Sequence, residues 1–103
     1  MTTKVERDWM DAICQIGCIA CRVMGVAGTP GVPHHLLSGG RRMGHLFTIC
    51  LCDPGHHQYP QPGSKKIARH PTKAQFERTY GTEAELLEKT RELVAQHRSM
   101  EAA

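Results

Sequence analysis

The sequence predicts an α+β fold, and three observations carry that reading. A 3.6-residue apolar period runs along the N-terminal segment and returns in the C-terminal third. Between them, two short β-favouring runs, HHLL and LFTICLC, flank the polar, glycine-rich connection SGGRRMGH. Cysteine and histidine are dense, with 5 and 7 among 103 residues. That length corresponds to one domain spanning residues 1–103.

Each element has its own signal. Residues 4–16 read as an amphipathic helix on Val5, Trp9, Ala12, Ile13 and Ile16, closed by Gly17, with Cys14 as a small core residue. Cys18 and Cys21 follow on a tight turn, and residues 25–33, with three Gly and two Pro, form a loop. Residues 34–37 and 46–52 pair as a hairpin, and an extended loop runs from Asp53 to Pro71. Thr72 with Gln75 is a capping-box pattern that opens a helix to Tyr80, stopped by Gly81. Thr82 with Glu85 repeats the pattern and opens a helix through about His97. Its stripe of Leu86, Leu87, Thr90, Leu93, Val94 and His97 needs a packing partner, and the first helix is the natural one.

Composition narrows the classes. Hydrophobic residues at 40% and charged residues at 22% exclude a disordered tail. No run of ~18 apolar residues is present, so no transmembrane helix is expected. The opening MTTKVERDWM lacks an apolar stretch, so a secretory signal is not expected either. The cysteines are then expected in a reduced cytoplasm, where metal binding outweighs disulfides. Aromatics at 5% leave a thin core that needs a staple. Residues 34–73 carry six basic side chains against Asp53 alone, together with six of the seven histidines. That local excess suits a polyanionic partner, although a solvated basic surface has the same composition.

Two clusters carry chemistry. A tetrahedral zinc site needs two close donor pairs, each spanning one turn. Cys18 and Cys21 form the first pair, and Cys52 with His56 the second. Cys50 stays open as a ligand, because strand alternation places it on the same face as Cys52. The Cys18/Cys21 pair alone would also fit a redox motif or two packed thiols, but the second Cys/His cluster favours zinc. His34, His35, His45, His57 and His70 form the other set. Adjacent histidines on a strand point to opposite faces. One can hold a divalent ion while the other takes a proton from water, a division of labour used by metal-dependent nucleases.

These residues resemble a known family. Two histidines on a strand, a Gly-rich loop, a second strand and a Leu-Cys-x-x-x-His-His turn are similar to HNH (ββα-metal) endonucleases. More closely, GCIACR (17–22), HHLLSGG (34–40), His45-x-x-Thr48, LCDPGHHQ (51–58) and FERTYGTEAELL (76–87) resemble the recombination enhancement function (Ref) family, RecA-dependent HNH-like nucleases of phages and prophages. The resemblance spans roughly residues 17–95. It implies an HNH-like core with structural zinc, packed with an N-terminal helix and C-terminal helices, that cleaves DNA with Mg²⁺ or Mn²⁺ and has a RecA filament as its partner. It makes Cys18, Cys21, Cys52 and His56 the zinc ligands, His34 and His57 ligands of the catalytic ion, and His35 the general base. The reverse assignment, with His34 as base and His35 as ligand, is the competitor. His45 lies where the HNH pattern has an Asn that orients the base. Pro60, Pro62 and Gly63 interrupt the helix that usually carries the last ligand, so His70 competes with His57. By charge, Arg41, Arg42, Lys65 and Lys66 would contact phosphates.

Three functions follow from these features. The first is a metal-dependent DNA endonuclease, which needs His34, His35 and His57. The second is a non-catalytic zinc module for nucleic acid or protein, which needs only the cysteine cluster. The third, a thiol redox protein, lacks the surrounding βαβ pattern.

Overall fold

The computed structural model describes residues 2–102, with side chains to residue 100; Met1 and Ala103 lie outside the described residues. Helix α1 (Lys4–Ile16) opens on a capping box that the sequence reading did not include. Thr3 Oγ1 accepts from the Glu6 amide at 3.1 Å, and Glu6 Oε1 accepts from the Thr3 amide at 2.9 Å. Its buried face is Trp9, Ala12, Ile13 and Ile16. Two expected members of the core are corrected. Val5 is 65% exposed, because the buried stripe begins only at Trp9. Cys14 is exposed too, since one residue beyond Ile13 turns a side chain ~100° off the stripe.

Gly17 ends α1 with φ +87°, and a Cβ there would sit 2.7 Å from the Thr29 carbonyl oxygen, so glycine alone fits. The Cys18/Cys21 pair is not on a free tight turn but on the first turn of a short helix, α2 (Ile19–Val23), with Cys18 as its N-cap.

The hairpin forms with shifted bounds. Strand β1 (Val32–His35) pairs antiparallel with β4 (Thr48–Leu51), setting His34 opposite Ile49 and His35 opposite Thr48. The connection is itself folded: β2 (Leu37–Ser38) pairs with β3 (Arg41–Arg42) around Gly39-Gly40. Both glycines have positive φ, +59° and +80°, as a two-residue hairpin turn requires. Strand β4 is buried at all four positions, with β1 beside it and α1, α2 and α4 packed against it. A strand enclosed on both faces reads as a continuous apolar run, which is why ICL showed no alternation.

From Cys52 to Thr72 the chain is irregular apart from a bridge between Gln58 and His70. The first helix after β4 is α3 (Lys73–Tyr80). The expected cap on α3 is corrected: the Thr72 hydroxyl donates to the Ala68 carbonyl at 2.6 Å and caps nothing. Helix α4 (Glu83–Ala102) carries the expected capping box, with Thr82 and Glu85 bonded reciprocally at 3.1 Å each way. It continues past His97 and packs on α1, α2 and β4 with Leu86, Leu87, Thr90 and Val94 buried. The Trp9 indole donates to Thr48 Oγ1 at 2.9 Å, and that hydroxyl donates to the His45 carbonyl at 2.8 Å. The single Trp thus fastens α1 to the sheet and fixes the backbone of His45. Among the described residues no helix is long and apolar enough to cross a membrane.

Candidate active site and metal centre

Two groups of potential metal donors form, on either side of one turn. In the first, Cys18 sits at the start of α2 and Cys21 one turn later, while Cys52 follows the end of β4 and His56 closes the next turn. His56 Nδ1 lies 3.4 Å from Cys18 Sγ, 3.4 Å from Cys21 Sγ and 3.3 Å from Cys52 Sγ, and Cys21 Sγ lies 3.9 Å from Cys52 Sγ. A tetrahedron with Zn–S of ~2.3 Å and Zn–N of ~2.0 Å has S···N edges near ~3.5 Å and S···S edges near ~3.8 Å. The four donors therefore already hold zinc-sized separations, and all four residues are buried.

The surroundings suit thiolates. The amides of Cys21 and His56 point at Cys18 Sγ and Cys52 Sγ, each at 3.4 Å, and Lys66 Nζ lies 3.3 Å from Cys52 Sγ. Burial pushes the Cys18 thiol up, whereas at Cys52 the His56 amide and Lys66 outweigh burial and pull it down. His56 is held near 4 by burial and then by Lys66, which keeps its imidazole neutral as a ligand must be. Its Nε2 lies 2.9 Å from Tyr80 Oη, while Nδ1 is turned toward the sulfurs. Cys50 is outside the cluster. The strand ends at Leu51, so the alternation that would pair Cys50 with Cys52 is broken one residue early. Burial raises the Cys50 thiol to about 12.

The second group is His34, His57 and His70, whose donor atoms lie within 4.8 Å of one another. Their ring centroids are 5.2–5.5 Å apart. The rings of His57 and His70 both lie beside that of His34. His34 is buried on β1, and its Nε2 lies 3.1 Å from Glu83 Oε1 at the start of α4. Arg69 Nε bonds the same oxygen. Burial alone would raise the Glu83 carboxyl, but the His34 and Arg69 bonds hold it near 2. An ionised carboxylate only accepts, so Nε2 of His34 carries a proton. His57 Nδ1 is likewise engaged by Asp53 Oδ2 at 3.2 Å. His34 and His57, each backed by a carboxylate, and His70, whose Nδ1 lies 3.5 Å from Arg69 Nη1, form a donor group suited to one divalent ion.

His35 stands beside this group and not in it. Its Nε2 lies 2.9 Å from His45 Nδ1. Its pKa is lowered by burial first, then by Arg42 and by His45. A cleft of about 540 Å³ is lined by His34, His35, Leu37, Arg42, His57 and His70 among others. Arg41 and Arg42 are exposed on β3 and Lys65 is exposed on the loop, whereas the Lys66 ammonium is turned inward onto Cys52.

A family model described as recombination enhancement, RecA-dependent nuclease matches residues 2–95. The chain belongs to that family. No curated protein matches it. A nuclease role in recombination follows from the membership, and the donor clusters above lie inside the matched span.

Three residues that reach these clusters carry no signal of it in the sequence. Glu83 and Arg69 reach the second cluster, and Tyr80 reaches the first. Glu83 and Tyr80 lie within FERTYGTEAELL, but the local pattern shows only a helix end and a helix start. Nothing in the spacing reveals that both elements back onto histidines 24 and 49 residues away.

Proposed function

We propose that this nuclease is a divalent-metal-dependent DNA endonuclease with an HNH-like active site, acting with RecA in phage or prophage recombination inside the bacterial host. One observation carries the reading: the same cleft borders the three-histidine group and His35, which stands outside that group and is paired with His45. A non-catalytic zinc module has no use for a second donor cluster beside an unligated histidine.

Cys18, Cys21, Cys52 and His56 would hold a structural zinc, and β1, β4 and the Cys52–His57 turn supply the ββ part of the HNH-like motif. His34, His57 and His70 would hold Mg²⁺ or Mn²⁺. A divalent ion there supplies positive charge to the scissile phosphate and its departing oxygen. His35 acts as general base. Its Nε2 lies 2.9 Å from His45 Nδ1; in the tautomer that donates there, the Nδ1 lone pair would be left to take the proton from the attacking water. Its lowered pKa keeps that lone pair free at neutral pH. His45 orients the base, the role the HNH pattern gives to Asn, and its own backbone is held by Thr48. Arg41, Arg42 and Lys65 contact phosphates flanking the cut. Lys66 instead offsets the negative charge of a three-thiolate zinc centre.

A plasmid-nicking assay with Mg²⁺ or Mn²⁺, run with and without RecA filaments on single-stranded DNA, tests the proposal. Cleavage that needs the divalent ion and is lost in His35→Ala supports it. Absence of cleavage under every condition, with zinc and fold intact, overturns it.

A further inference from the structure

Glu83 is used by none of the roles above, yet it is 8% exposed and bonds two buried partners, His34 and Arg69. Buried ion pairs are seldom better for stability than apolar packing of the same volume, so the position of this one calls for another reason. It stands at the first residue of α4, held there by the capping box of Thr82 and Glu85. Its oxygen reaches across to the one histidine of the cluster that belongs to the sheet.

Resting on the reading of His34, His57 and His70 as an ion site, we propose that Glu83 is the positioning residue of that site, with Arg69 as its clamp. Accepting the Nε2 proton of His34 commits Nδ1 as the ion-facing nitrogen and stops the ring from turning. The Arg69 guanidinium fixes the carboxylate at the same oxygen. Its backbone extends the same control: the Arg69 amide donates to the His56 carbonyl at 2.6 Å, and the His70 amide donates to the His57 carbonyl at 3.0 Å. One buried ion pair therefore joins α4 to all three histidine-bearing segments. The capped end of α4 becomes part of the ion site, although it contributes no donor to it.

The test uses the full-length, zinc-loaded protein titrated with Co²⁺ and followed by its visible d–d absorption. Thiolate-to-cobalt charge-transfer bands report any exchange at the cysteine centre. Wild type binds one Co²⁺ without those bands. In Glu83→Ala, Co²⁺ affinity falls roughly 10–100-fold, the usual cost of losing an outer partner of a metal-bound histidine. Glu83→Gln, nearly isosteric, keeps an acceptor for His34 without the charge that holds Arg69, and falls in between. It also carries the test should the alanine variant not fold. A purely structural Glu83 would lower the melting temperature and leave the Co²⁺ affinity of the folded protein unchanged. That result in Glu83→Gln overturns the proposal. A wild-type protein that takes up no Co²⁺ overturns the ion site itself, and Glu83's role with it.

Discussion

His56 and His57 are consecutive in the chain and face two different clusters. His56 Nδ1 lies within 3.4 Å of three cysteine sulfurs, whereas the His57 ring lies 5.4 Å from His34 and 5.2 Å from His70. The turn that separates them is pinned on both sides. The His57 amide donates to the Cys52 carbonyl at 2.9 Å, and the carbonyls of His56 and His57 accept from Arg69 and His70. One peptide unit thus links the cysteine centre to the candidate active site, so disturbing either is felt at the other.

Removing the zinc should therefore abolish more than stability. Structural zinc supplies on the order of 10 kcal/mol of apparent binding free energy, as much as a small domain's whole stability. Protein purified without added zinc should carry about one equivalent. A strong chelator should collapse the melting transition, and added Mg²⁺ or Mn²⁺ alone should not restore cleavage. An unchanged melting temperature after complete metal removal would show that the cysteine centre is not structural.

Tyr80 should matter for the same centre without touching the ion. Its hydroxyl lies 2.9 Å from His56 Nε2 and accepts from the Ile67 amide at 3.1 Å. Tyr80→Phe removes the partner of a buried imidazole nitrogen and of the Ile67 amide, and should cost about 1–3 kcal/mol. Zinc should also leave faster in a chelator competition. Wild-type stability and release rate together would refute this outer role.

His35→Ala should separate chemistry from binding. Cleavage is expected to drop by roughly 10²–10⁴, the usual worth of a general base. Zinc content, melting temperature and DNA affinity should stay close to wild type, because His35 touches neither donor cluster. His34→Ala should instead weaken the divalent-ion dependence, with partial recovery at high Mn²⁺. Cleavage by His35→Ala at the wild-type rate under matched conditions would sink the assignment.

The pH profile follows from the environment of His35. Burial, Arg42 and His45 all disfavour its protonated form, so its pKa lies below the ordinary 6.5. A lowered pKa keeps the base neutral further into acid. Cleavage should be level above pH 6.5 and fall only below it, in kcat/KM measured at saturating Mn²⁺. Arg42→Ala removes one of those causes and should move the acid limb upward. An acid midpoint at or above 7 in wild type contradicts this.

Salt dependence should distinguish the basic residues. Arg41→Ala and Arg42→Ala each remove one phosphate contact and should reduce the slope of log affinity against log salt by up to ~0.9 on duplex DNA. Lys66→Ala should leave that slope unchanged and loosen zinc instead, since its ammonium faces Cys52. A steep loss of slope in Lys66→Ala would place it on the DNA surface after all.

What the sequence alone determined about this protein is local. Apolar period and caps located α1 and α4, and the spacings Cys18-x2-Cys21 and Cys52-x3-His56 identified four donors that meet in one cluster. Each of those signals is complete within about one turn of chain, so no packing partner is needed to read it. Tertiary structure decided the rest. It broke the alternation at Leu51, and so separated Cys50 from Cys52. It folded the supposed loop 38–45 into part of a second hairpin, and moved Cys14 off the core face. It also brought His57 and His70 together beside His34, with Glu83 behind His34. These residues sit 13 to 49 positions apart, and only the packing of α4 and the loop against β1 brings them within bonding distance. A residue's own neighbours in sequence carry no record of that convergence, which is why the donors were legible and the residues that position them were not.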